Sequence, residues 1–117
     1  MPDFDILRQL ASDVGTDTAL KLLQLFQADT QKRLNRVNAE IQSGGEVDIS
    51  DLRLQAHSLR GLCLTYGATD GAHAAQALFE ACDVGEIQDI LDKAHAALAT
   101  IRQDIAATLE MAQNLKE

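Results

Sequence analysis

The sequence predicts an all-α protein, an antiparallel up-down-up-down four-helix bundle with a short additional N-terminal helix. Three observations predict it. Apolar residues recur at spacings of three and four along nearly the whole chain, the period of a helix with one buried stripe, and β-branched clusters with period two are absent. The single proline stands at position 2, so nothing later in the chain breaks a helix. Hydrophobic residues make up 46% of the chain but aromatics only 3%, so the core must be built from Leu, Ile, Val and Ala, which suits closely packed helices. At 117 residues the chain fits one domain, residues 1–117, large enough to bury a core without staples.

The elements follow in order. Residues 3–14 read as a short helix capped by Asp3, with Phe4, Ile6, Leu7, Leu10 and Val14 as apolar contacts and Gly15 as its stop. Thr16 or Asp17 is the expected cap of a long second helix, about 17–43, with the stripe Ala19, Leu23, Phe26, Thr30, Leu34, Val37 and Ile41. Lys32, Arg33 and Arg36 on this helix read first as a solvated face and second as part of a docking surface. Gly44 and Gly45 end the helix, and Asp48 or Ser50 caps a third, about 50–66, which Gly67 terminates in a left-handed conformation. A fourth helix starts at Thr69 or Asp70 and runs to Val84, with the stripe Ala72, Ala75, Phe79 and Cys82, Leu78 alongside, and Gly85 as its stop. The fifth, about 86–114, carries Ile87, Ile90, Ala94, Leu98, Ile101, Ile105, Leu109 and Ala112. Short connections between long helices imply antiparallel neighbours.

Charge and composition exclude several functions. The net charge of −8 argues against nucleic acid and against an anionic membrane surface. Residues 80–92 hold five acids and no Lys or Arg, whereas Arg53 and Arg60 face only Asp51 in the third helix, a small basic island able to steer an acidic partner. Cys63 and Cys82 lack metal-ligand spacing and read as buried free thiols, which fits a reducing, cytoplasmic setting, as does the lack of a signal peptide or long apolar run. His73 and His95 form no convergent zinc set with His57. The glycines lie at helix ends or inside a helix rather than in a phosphate-binding loop, so the chain lacks the machinery of an ATP-using kinase.

The chemistry concentrates in residues 56–68, Ala-His-Ser-Leu-Arg-Gly-Leu-Cys-Leu-Thr-Tyr-Gly-Ala. One side of this helix carries Leu52, Ala56, Leu59, Cys63 and Tyr66, which leaves Arg53, His57, Arg60, Gly61 and Leu64 on the other. An imidazole is thereby offered to solvent beside a guanidinium. A neutral imidazole has a ring nitrogen able to form a covalent bond, and Arg60 is placed to stabilise an anion such as a phosphoryl group. Gly61 inside a helix costs roughly 1 kcal/mol relative to alanine, a cost explained if another molecule must approach the backbone there.

This run resembles the signature of histidine-containing phosphotransfer (HPt) domains of two-component phosphorelays: His, any residue, Leu, Lys, Gly, then a Gly-Ala pair ten and eleven residues after the histidine. Here the residues are His57, Ser58, Leu59, Arg60 and Gly61, with Gly67 and Ala68 at the expected distance. Leu78-Phe79 and Gly85-Glu86 stand where the family often has Leu-Glu and Gly-Asp. The resemblance implies a phosphorelay intermediate without kinase activity, with His57 as phosphoacceptor through its outer nitrogen Nε2. It also implies receiver docking through Arg53, Gly61 and Leu64, and no cofactor of its own, since Mg²⁺ comes with the partner receiver domain. The implied partners are response-regulator receiver domains and a hybrid sensor kinase, met by a monomer.

Two residues depart from the pattern. Arg60 replaces the usual Lys, keeping the charge but changing a compact ammonium to a planar fork. Phe79, 22 residues after the histidine, stands where a polar residue is common, and Gln76, one turn earlier, is the expected substitute as orienting partner of the ring. The competing class is a helical interaction module that docks receiver or kinase domains without phosphotransfer.

Overall fold

Polar caps and glycines divide the chain into five helices. The computed structural model describes residues 2–43 and 46–115. The helices are α1 (Phe4–Val14), α2 (Thr16–Gln42), α3 (Ile49–Thr65), α4 (Thr69–Val84) and α5 (Ile87–Leu115), and no strand occurs among the described residues. Asp3 and Asp48 cap α1 and α3 as expected, accepting from the backbone N–H of Asp5 at 3.1 Å and of Asp51 at 3.0 Å. Glu86 caps α5 through both carboxylate oxygens, which accept from Gln88 and Asp89. The expected cap of α2 is corrected: Gly15, at φ 89°, is the cap and no side chain bonds there, while Asp17 in the first turn supplies negative charge at the positive end of the helix dipole. Gly85 ends α4 in the left-handed conformation, φ 83°. The expected stop of α2 at Gly44 and Gly45 lies outside the described residues.

Packing joins α3 to α4, α4 to α5, and α2 to both α3 and α5, while α1 rests mainly on α2. The molecule measures 47 × 20 × 18 Å, and the 29 residues of α5 rise about 44 Å, so this helix runs most of its length. Leu23, Leu34, Leu52, Leu59, Leu78, Ile90 and Ile101 fill the core. Three stripes differ from expectation. In α1 only Leu7 is buried, with Ile6 and Val14 exposed, because so short a helix lying mainly on α2 covers a narrow face. In α4 the buried series is Ala72, Ala75, Leu78, Ala81 and Cys82, and Phe79 is only half-buried at its margin. In α5 Ile87 and Leu109 are exposed, and the buried face passes from Ile101 through Asp104, Thr108 and Ala112. Burial follows which neighbour faces the turn, and here it selects two polar side chains over nearby apolar ones.

Those polar residues are satisfied. Asp104 Oδ2 accepts from the backbone N–H of Gly71 at 2.8 Å, and the Thr108 hydroxyl donates to the Asp104 carbonyl at 2.7 Å. Gly71 is where α3, α4 and α5 meet: a Cβ there would sit 3.1 Å from Cys63 Sγ, 3.1 Å from Ile101 Cγ1 and 3.2 Å from Asp104 Oδ2. Burial, reinforced by the Asp104 charge, pushes the Cys63 thiol up to about 12, so it stays neutral and inert at physiological pH. A second buried link ties α2 to the end of α3. Thr30 donates its one hydroxyl proton to the Phe26 carbonyl at 2.7 Å, so Tyr66, 2.7 Å away, is the donor to Thr30. Gly67, at φ 80°, accepts from the Asp3 N–H, and a side chain there would collide with the Asp3 carbonyl, so the start of α1 seats on the α3–α4 turn.

Asp104→Ala orphans the buried Gly71 N–H and is expected to lower the unfolding free energy by about 1–3 kcal/mol in urea titration. Asp104→Asn keeps an acceptor and should lose less. Equal losses in both variants would show that the hydrogen bond is not the source.

Candidate functional site

The stripe Leu52, Ala56, Leu59, Cys63 and Tyr66 is buried throughout, and this turns the opposite face of α3 outward. Arg53, His57, Arg60, Gly61 and Leu64 are all exposed on it, as the period of the helix requires. Two pairs at spacing i, i+4 then face each other across the α3–α4 seam: Arg53 and His57 on α3, Phe79 and Asp83 on α4. The His57 ring lies 5.9 Å from the Phe79 ring, tilted by 44°. The Arg53 guanidinium sits over the same phenyl ring, 4.3 Å from its centre, and its Nε donates to Asp83 Oδ1 at 2.7 Å. Ser50, Arg53, Leu54, His57 and Phe79 line an open depression of about 370 Å³. Phe79 thus forms the platform of the site, the physical outcome of its place at the margin of the α4 stripe.

The other expected residues are distributed as follows. Gln76 donates to Glu80 Oε1 at 3.0 Å along α4, and among the described residues no hydrogen bond reaches the His57 ring. The ring has an aromatic neighbour where a polar one was expected. Arg60 is exposed and has no ion pair among the described residues. Around Gly61 a Cβ would meet nothing within 4 Å, so no contact inside the protein demands glycine there. Leu64 is 44% exposed and Leu54 57%, an apolar pair on the outer face. Leu54 and Asp83 were not expected at the site, and Ser50 was expected only as an alternative helix cap; for Leu54 the signal was present, a leucine three residues before His57 and outside the buried stripe.

The local charge also needs correction. Arg53 is paired with Asp83, and Asp51 is taken by Arg36 from α2 at 3.1 Å. The basic island therefore reduces to Arg60 as its unpaired cation among the described residues. Arg33 reaches Gln55 Oε1 at 3.2 Å and lies 3.4 Å from Asp29, so Arg33 and Arg36 join α2 to α3, and Lys32 is the member of that cluster without an ion pair among the described residues. His73 and His95 are exposed, and among the described residues no group of three or more His, Cys, Asp or Glu is placed to hold a metal ion. The arrangement offers one reactive group to a partner: an imidazole on a rigid helix, reachable from solvent, with open backbone one turn away.

With a phenyl ring beside it and no hydrogen-bond partner among the described residues, the His57 imidazole is free to exchange between its two neutral tautomers. Phe79→Gln should supply a partner and shift the population toward one tautomer. Long-range ¹H–¹⁵N correlation spectra at alkaline pH read this directly: separated nitrogen shifts are expected in the variant and averaged ones in the parent. Identical spectra would remove Phe79 from control of the ring.

No curated protein and no solved structure shows a significant match to this chain. No helix among the described residues is long and apolar enough to cross a membrane. The profile of the Hpt domain family matches residues 21–115, which takes in α3 with its outward histidine and both helices packed against it. The chain belongs to the Hpt domain family, whose members carry phosphoryl groups in two-component signalling.

Proposed function

We propose that this protein is a phosphorelay intermediate in which His57 accepts a phosphoryl group from the phosphoaspartate of one receiver domain and passes it to the aspartate of another. In the accepting step the His57 Nε2 lone pair attacks phosphorus, the N–P bond forms, the acyl-phosphate P–O bond breaks, and the aspartate leaves as a carboxylate. The partner receiver supplies Mg²⁺ and its own acidic pocket, and the helical protein supplies a positioned nucleophile. Most of the catalytic charge stabilisation is then brought by the receiver, and this chain needs neither metal nor nucleotide of its own. The observation that carries the reading is His57 standing exposed on the outer face of α3 with open space at Gly61 one turn on.

Leu64 and Leu54 would form the apolar centre of the dock, with Arg53 at its edge, and Arg60 would meet the acidic rim of a receiver pocket. One of the receivers would belong to a hybrid sensor kinase. The four long helices would run up-down-up-down, a reading supported by short links such as the one from Val84 to Ile87. Two buried free cysteines fit a reducing cytoplasm, where a monomer would meet its partners.

The test is incubation with phosphorylated receiver domains, followed by mass spectrometry for acid-labile phosphate on His57. His57→Gln should abolish uptake with little change in thermal midpoint, and label that survives this substitution or falls on His73 or His95 would refute the assignment. Gly61→Gln should be as stable as the parent or more so, by up to about 1 kcal/mol from helix propensity, yet transfer more slowly because its side chain enters the dock. An unchanged rate would take Gly61 out of the interface.

A further inference from the structure

The position of Arg53 suits a task more specific than docking. Its guanidinium is held on two sides, by the Phe79 ring beneath it and by Asp83 at Nε. Asp83 uses only the nitrogen nearest the chain, and a guanidinium carries four further N–H groups on its two outer nitrogens. Among the described residues no hydrogen bond uses those outer N–H groups, so they remain available to a ligand. Arg53 and His57 sit one helical turn apart, touch the same phenyl ring, and line the same depression of about 370 Å³. Arg60, the cation that sequence spacing favours, is absent from the lining of that depression and has no hydrogen bond, ion pair or ring contact among the described residues.

Resting on His57 as the acceptor, we propose that Arg53 is the group that binds the phosphoryl dianion once it is on the imidazole, with Phe79 as its platform and Asp83 as its anchor. The two outer nitrogens match two phosphoryl oxygens in the paired geometry that makes arginine a phosphate ligand. Because Arg53 already rests on Phe79 and Asp83, binding costs it less further side-chain entropy than it would cost Arg60, which has neither partner. Asp83 does not cancel the attraction. Its carboxylate is half exposed and therefore well screened, and it occupies the Nε side while the phosphoryl group takes the outer nitrogens. This also gives Phe79 a purpose at a position where it cannot hydrogen-bond the ring: it carries the cation that the phosphorylated ring needs.

A small donor separates this role from docking. Phosphoramidate transfers its phosphoryl group to histidine without a receiver: Nε2 bonds to phosphorus, the donor P–N bond breaks, and ammonia leaves with the bonding pair. Uptake, lifetime and the pH titration of the phosphohistidine ³¹P signal would be measured in the full chain for the parent, Arg53→Ala, Arg53→Lys, Arg60→Ala and Arg102→Ala, with the thermal midpoint as a folding control. Arg102 is an exposed cation on α5 and reports bulk charge. The expected result is a loss of uptake and lifetime of about fivefold in Arg53→Ala, the scale of one half-exposed charge contact. Partial recovery is expected in Arg53→Lys, with a smaller effect in Arg60→Ala and none in Arg102→Ala. The phosphoryl group should also titrate at higher pH in Arg53→Ala, since a nearby cation favours the dianion and its removal favours the protonated form. Parent-like uptake, lifetime and titration in a folded Arg53→Ala would overturn the proposal while leaving His57 as acceptor intact. So would an equal or larger effect in Arg60→Ala, or an equal loss in Arg102→Ala. A parent chain that takes no label on His57 would overturn the acceptor reading, and this inference with it.

Discussion

The contact on which the rest of the structure depends is the junction of α3, α4 and α5 at Gly71. A Cβ there would be crowded, because Cys63, Ile101 and Asp104 approach from the two neighbouring helices to 3.1–3.2 Å of its place, and each would have to give by a few tenths of an ångström. Glycine is tolerated inside α4 for this closeness, despite its cost to the helix. The Asp104 carboxylate then locks the junction by accepting from the Gly71 backbone. With Ala72, Ala75, Leu78, Ala81 and Cys82 also turned to the core, α4 has its remaining residues placed by its own geometry. Phe79 and Asp83 follow Gly71 by eight and twelve residues, about 12 and 18 Å along the axis, and so arrive opposite His57 and Arg53.

The core around that junction is built from small and aliphatic side chains. Ala72, Ala75, Ala81, Ala94 and Ala97 let the backbones of α4 and α5 come close, while leucines and isoleucines fill the wider gaps. Rigidity of this kind is what a carrier needs. An imidazole on a mobile loop would have to be ordered each time a partner arrived, whereas one on a helix packed along its whole opposite face is already positioned. The buried polar links have the same effect at other points of the bundle. Tyr66 reaches Thr30 across the end of α3, and the Asp3 N–H finds Gly67 at the turn.

Electrostatics at the site is set by pairing more than by the number of charges. The chain carries a net charge of −8, yet the acidic run in residues 80–92 contributes Asp83 as the partner of Arg53 at Nε. Arg36 draws Asp51 toward α2. These pairs are exposed or partly so, and each is worth little to stability. Their consequence is positional: they decide which guanidinium is held near the ring and which one is left without an ion pair among the described residues.

How much of this was legible in the sequence can be judged residue by residue. The five helices, the caps Asp3 and Asp48, the stop at Gly85 and the outward turn of His57 all follow from spacing within one element, because a helix with a buried stripe must expose the opposite face. The family signature around His57 lies within a single helix and its C-terminal turn, and was readable for the same reason. What spacing could not supply was the identity of the residue opposite across a helix seam. Gln76 and Phe79 both lie near enough in sequence to serve the ring, and only the rotation of α4 about its axis, set by its whole buried series, puts the phenyl there and turns Gln76 to Glu80. The burial of Asp104 in preference to Ile105 and Leu109, the pairing of Arg53 with Asp83 and the joining of α2 to α3 by Arg33 and Arg36 were decided in the same way. By itself the sequence determined which face each helix could bury. The tertiary structure decided what each face met, because that depends on how the helices are rotated and offset against one another, and a periodic pattern along one chain segment carries no measure of either.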